Sequence, residues 1–246
     1  MISYDEYIWG DRFKQHFSSN PKCVYSNIDF VKTCNKNARV VVTHNGDNPV
    51  NDDNLSHFTN LHIWFGQNVM TTDNRVTSLP IGLENDYIAG QPQRKKILFE
   101  KSKENKQANK LVYLNCSIGT YRPDRQTAYD YFSNKTWCTV KPHGSLDYHG
   151  YTNDILDHNF SICPRGNGLD CHRNWEILYL NRYPVMKRYH GLEKLYSDLP
   201  VVFVNNWQEV TEELLHTKLN EFKSNTYNMD KLKFSYWKNL IENVME

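Results

Sequence analysis

Short apolar runs recur along the chain, each closed by polar turn residues. ARVVVTHNGD over 38–47, LHIWFGQN over 61–68 and RVTSLPIGLEN over 75–85 share this pattern. Each reads as a strand that delivers polar groups at its C-terminal end. Runs that are apolar on both faces predict a parallel sheet covered by helices. Hydrophobicity falls and charge rises from 86 to 110, which predicts a linker or surface excursion. A second series follows: strands at 110–117, 136–141, 160–164, 183–187 and 200–204. Helices are predicted between and after them, at 122–134, 151–158, 169–181, 191–198 and 207–222. The tail over 230–245 places Leu232, Tyr236, Leu240 and Val244 on one side of a last helix.

Strand–helix alternation of this kind predicts an α/β chain with right-handed crossovers. Two Rossmann-like lobes are expected. Residues 1–88 form the first, 89–109 a linker and 110–227 the second, with the helix in 228–246 returning to the first lobe. In such sheets ligands bind beyond the carboxyl ends of the strands.

Composition narrows the field. With 29 basic and 28 acidic residues, and no uninterrupted basic stripe, nucleic acid is not an expected partner. The six cysteines include no C-x-x-C pair, so they read as free thiols rather than a zinc or redox motif. No basic start followed by an apolar core opens the chain, and no run is long enough to span a membrane. A cytoplasmic protein is therefore expected.

The stretch SICPRGNGLDCHRNWEILYL at 161–180 carries the chemistry. Arg165 precedes a turn formed by Gly166, Asn167 and Gly168, and a helix is expected to start near Leu169. Glycines let backbone approach a ligand, and a helix N-terminus offers free N–H groups and partial positive charge. His172, Arg173 and Glu176 fall on one face of that helix. Backbone donors with two guanidinium groups suit a diphosphate, and a carboxylate one turn deeper suits ribose hydroxyls. A dinucleotide-binding loop is a poorer fit. Cys171 stands where its third glycine belongs, and Met186–Lys187 ends the next strand where an acid is wanted.

The segment from about Asp157 to Thr211, with HNGD, FGQN and LPIGLEN earlier, resembles exostosin-like glycosyltransferases (glycosyltransferase family 47). It is most similar to the short forms encoded by large DNA viruses. The resemblance implies a GT-B fold with a cleft between its lobes, and a nucleoside-diphosphate sugar, UDP-linked, as donor. It further implies inversion at the anomeric carbon, no required metal or other cofactor, and a glycan acceptor. The short viral forms point to xylose as the sugar and to the host cytoplasm. The chain departs from the family in being short and in lacking a membrane anchor.

Within that frame the base belongs to the first lobe. Asp47 is the first candidate, His44 the second and Asp73 a third. Arg165, the glycine-turn amides, Arg173 and Arg125 would steady the leaving diphosphate. Gln67 and Asn68 are candidate acceptor contacts. A catalytically silent nucleotide-sugar or glycan-binding module is the alternative, and a nicotinamide-dependent oxidoreductase a more distant one.

Overall fold

Val40, Val41, Val42 and Thr43 are all buried, so the first apolar run has no solvent face. Only a strand covered on both sides satisfies such a run. The computed structural model describes residues 2–88 and 91–246. In chain order the first elements are α1 (Gly10–Phe17), β1 (Val24–Ser26), β2 (Val40–Thr43), α2 (Asp52–Leu55), β3 (Ile63–Gly66), β4 (Val76–Ser78) and α3 (Gln91–Ser102). There follow β5 (Lys110–Leu114), α4 (Arg122–Phe132), β6 (Cys138–Val140), α5 (Tyr148–Asp157), β7 (His158–Ile162) and α6 (His172–Tyr179). The chain closes with β8 (Tyr183–Lys187), α7 (His190–Leu195), β9 (Val202–Val204), α8 (Glu212–Ser224) and α9 (Phe234–Asn243).

The strands form two sheets, ordered β1-β2-β3-β4 and β6-β5-β7-β8-β9, and every neighbouring pair is parallel. The fold is α/β. The outer face of the first sheet buries Val41, Val50 and Trp64, while Val112, Phe160 and Val185 pack under α4 and α8 outside the second. A third cluster lies between the sheets and is continuous. Val42 and Phe65 share it with Tyr113, Trp175, Ile177 and Tyr196.

The run at 38–47 ends as its pattern predicts, with a four-residue strand followed at Asn45 by a turn with a φ of 62°. Several boundaries differ from the pattern, each for a local reason. The helix expected from 151 starts at Tyr148, where the Asp147 carboxylate accepts the N–H of Gly150 at 2.7 Å. The helix expected from 207 starts at Glu212, after Thr211 caps the N–H of Leu214 at 3.1 Å. The expected linker holds α3, whose Leu98 is wholly buried in the central cluster. Positions 89 and 90 of that linker lie outside the described residues. Residues 1–37, which the pattern left unread, supply α1 and β1.

α9 lies against α1. Phe234 meets Phe13 edge-on at 5.2 Å, and Glu242 reaches His16 at 2.7 Å. Among the described residues no helix is long and apolar enough to cross a membrane.

Candidate functional site

The strand order of the second sheet reverses between β5 and β7, since β6 lies on one side of β5 and β7 on the other. A crevice opens at such a reversal because the flanking loops leave in opposite directions. Here the crevice is a cleft of about 510 Å³, lined after β5 by Asn115, Thr120 and Arg125 and after β7 by Gly166, Asn167 and Gly168. Asp47, Ile81 and Glu84 face them from the loops after β2 and β4. The volume suits a ligand of nucleotide size.

The glycine turn is built differently from the expectation. Neither Gly166 nor Gly168 has a positive φ; what they provide is room. A Cβ on Gly168 would sit 2.7 Å from the Asn68 amide nitrogen, and one on Gly166 would sit 3.2 Å from a terminal nitrogen of Arg125. Arg165 does not line the cleft. Its guanidinium folds back onto the carbonyls of Asn167 (2.6 Å) and Gly166 (3.2 Å) and stacks over Tyr121 at 4.3 Å. It shapes the turn instead of offering charge to a ligand. Arg125, buried, donates to the carbonyls of Arg165 at 2.9 Å and Ser117 at 2.8 Å and still borders the cleft.

α6 begins at His172, three residues later than expected, and two of the amides ahead of it are consumed by the protein. Asp170 donates its N–H to the Asn68 side-chain oxygen at 3.0 Å, and the Cys171 N–H goes to the Asp170 carboxylate at 2.9 Å. That carboxylate is buried and also takes Asn174, Trp175, Tyr196 and the N–H of Ile81. Burial raises its pKa against the pull of these donors. Asp170 therefore fixes the start of α6 and ties it to the loop after β4.

His172, Arg173 and Glu176 all reach the cleft. Each oxygen of Glu176 accepts a tyrosine hydroxyl, Tyr148 at 2.8 Å and Tyr151 at 2.9 Å, and burial with the nearby carboxylate raises both phenols. Arg173 points Nε at the Tyr151 hydroxyl, 3.4 Å away. Among the described residues no carboxylate lies within ion-pair distance of Arg173, Arg125 or Arg94, which also borders the cleft. His172 bridges the two halves, with Nδ1 2.8 Å from the Gly82 carbonyl and Nε2 3.1 Å from Glu84. Desolvation opposes its charge, but Glu84 and that carbonyl outweigh it and raise the pKa. Glu84 in turn is lowered: burial works against its ionised form, while His172, Arg94 and Lys95 favour it.

Four candidates from the sequence fall elsewhere. His44 is 2% exposed, donates from Nε2 to the Pro80 carbonyl at 2.9 Å and accepts the Asn45 N–H on Nδ1 at 2.9 Å. Desolvation lowers it to about 4, against those bonds, so it stays neutral inside the fold. Gln67 is buried, within 3.5 Å of the Gly46 N–H. Asn68, also buried, bonds to the carbonyls of Gly46 and Asp47 as well as to the amide of Asp170, so neither side chain is presented to a ligand. Asp73 makes an exposed fork with Arg75 away from the cleft, and those bonds lower it to about 2. Asp47 does line the cleft, exposed, with its carboxylate 3.3 Å from the Asn167 side chain.

Glu84, Arg94, His143, Tyr148 and Tyr151 border the cleft without having been read from the sequence. Glu84 alone had a local signal, its place just after the strand of LPIGLEN. Among the described residues no cluster of three His, Cys, Asp or Glu side chains is arranged to hold a metal. No family model matches the chain, and no curated protein matches it either.

Proposed function

We propose that the protein is an inverting glycosyltransferase of GT-B architecture. It moves a sugar, xylose in the first instance, from a UDP-sugar to a glycan acceptor. One observation carries the reading. Among the described residues Arg125 and Arg173 have no carboxylate partner at the strand-order reversal, where they stand beside the Gly166–Gly168 turn and across the cleft from acidic residues. Uncompensated cations in a half-buried site are costly unless a ligand supplies the anion, and a diphosphate does so.

In this reading the acceptor oxygen attacks the anomeric carbon while the bond to the diphosphate breaks. The electron pair leaves with UDP, and the acceptor proton passes to a carboxylate of the first half. Arg125 and Arg173 hold the charge that develops on the leaving group, a duty that metal-dependent transferases give to a bound cation. Glu176 and its two tyrosines lie beside Arg173, placed to receive the nucleoside sugar.

A second reading, a silent nucleotide-sugar-binding module, is favoured by the exposure of Asp47, whose carboxylate has, among the described residues, only the Asn167 side chain as a partner. A transfer assay over UDP-sugars and oligosaccharide acceptors, run in excess chelator, separates the two. Transfer that persists in chelator supports the enzyme. UDP binding without turnover of any donor supports the module.

A further inference from the structure

We infer that Glu84, held by His172, takes the proton from the acceptor hydroxyl, and that Asp47 does not; this rests on the glycosyltransferase reading above. Both carboxylates face the cleft from the first half, so their settings decide between them. Asp47 is exposed, and among the described residues its carboxylate accepts one hydrogen bond, from Asn167 at 3.3 Å. Glu84 is 32% exposed in its side chain and is gripped by a ring that is 30% exposed. The Gly82 carbonyl at Nδ1 and the Glu84 carboxylate at Nε2 both call for a donor, so His172 carries protons on both nitrogens. An imidazolium on one oxygen fixes the carboxylate and leaves its second oxygen to accept.

The backbone that carries Glu84 is clamped from both halves. Ile81 donates its N–H to Asp170 at 2.9 Å, Leu83 donates to the Ile8 carbonyl at 2.7 Å, and Gly82 accepts from His172. Gly82 has a φ of 67°, and a Cβ there would lie 2.3 Å from the Ile8 carbonyl oxygen. Only glycine permits that approach. A proton acceptor held by a rigid backbone and a fixed partner needs no rearrangement as the hydroxyl attacks. His172 is also the residue before Arg173. The residue that holds the base and the leaving-group cation are thus neighbours in the first turn of one helix, and both border the cleft. His172, Arg94 and Lys95 are the charged groups whose fields keep Glu84 ionised.

The step balances. The acceptor oxygen bonds to the anomeric carbon, the carbon–oxygen bond to the diphosphate breaks with its electron pair going to UDP, and the proton goes to the free oxygen of Glu84.

The test compares Glu84→Gln, Glu84→Asp and Asp47→Asn in full-length protein by transfer kinetics and by calorimetric titration with UDP. Glu84→Gln is expected to lose about a hundredfold or more in kcat while UDP affinity stays within about threefold. Glu84→Asp should recover part of the loss, and Asp47→Asn should stay within about tenfold of wild type. A Glu84→Gln protein that turns over normally overturns the assignment, as does an Asp47→Asn protein that alone loses turnover. Loss of UDP binding along with turnover in Glu84→Gln also overturns it, because Glu84 then orders the donor site instead. If wild type neither binds UDP nor transfers from any UDP-sugar, the glycosyltransferase reading fails first, a result distinct from all of these.

Discussion

His44 and His172 belong to the same junction and have opposite fates. His172 gains a carboxylate, so its charge persists in the fold and its contribution is lost as pH rises through its raised pKa. His44 is buried neutral and lowered to about 4. The unfolded chain takes up that proton at about 6.5 and the folded one does not, so stability falls as pH drops from about 6.5 towards 4. For a ring this deeply buried, the loss between pH 7 and pH 4 should reach about 3 kcal/mol. Urea titrations of wild type and His44→Gln across that range would check it, because the substitution removes this contribution and leaves His172 in place. Equal pH dependence in the two proteins would contradict the account. The histidine beside the HNGD turn looked chemical in the sequence because its neighbours are polar. Nothing local revealed that Phe13 stacks on its ring at 4.8 Å and that the Pro80 carbonyl accepts its Nε2–H.

At the scale of elements, β2 to β9 were legible from their apolar runs, whereas the half-buried β1 (Val24–Ser26) was not. Nor was the helix at 91–102. It is polar along most of its length and buries a few residues such as Leu98, so composition alone reads as linker. The glycine turn was legible as a special place, but for a different physical reason. Arg165 closes on the turn's own carbonyls, and Asn68, 100 positions before Gly168 in the chain, fills the space over that glycine. Such a contact has no local signature. Gly168→Ala therefore tests the packing directly. Asn68 is held by three partners and cannot step aside freely, so a loss of about 1–3 kcal/mol in stability is expected by chemical denaturation. A neutral substitution would contradict the close approach.

Across the whole molecule, the two sheets share one apolar layer and are joined at several polar points. Ser78 donates to the Gly191 carbonyl at 3.0 Å, the Ile8 N–H reaches the Tyr179 hydroxyl at 3.0 Å, and Asp170 holds Ile81. The cleft is thereby set between parts that do not need to find each other when a ligand arrives. What it offers is polarised. Arg125 and Arg173 lie at the reversal of the second sheet, and Asp47 and Glu84 lie on the first. The sequence pointed to the cationic side, because Arg173 sits in the glycine stretch and Arg125 follows the strand KLVYLN. It identified the acidic side only in part, because that side is assembled from separate loops. If Arg125 and Arg173 await a diphosphate, calorimetric titration of UDP in chelator should detect it. The account predicts saturable binding by wild type and loss of about a hundredfold or more in Arg173→Ala with the fold intact. Equal UDP binding by the two proteins, or none by wild type, would contradict it.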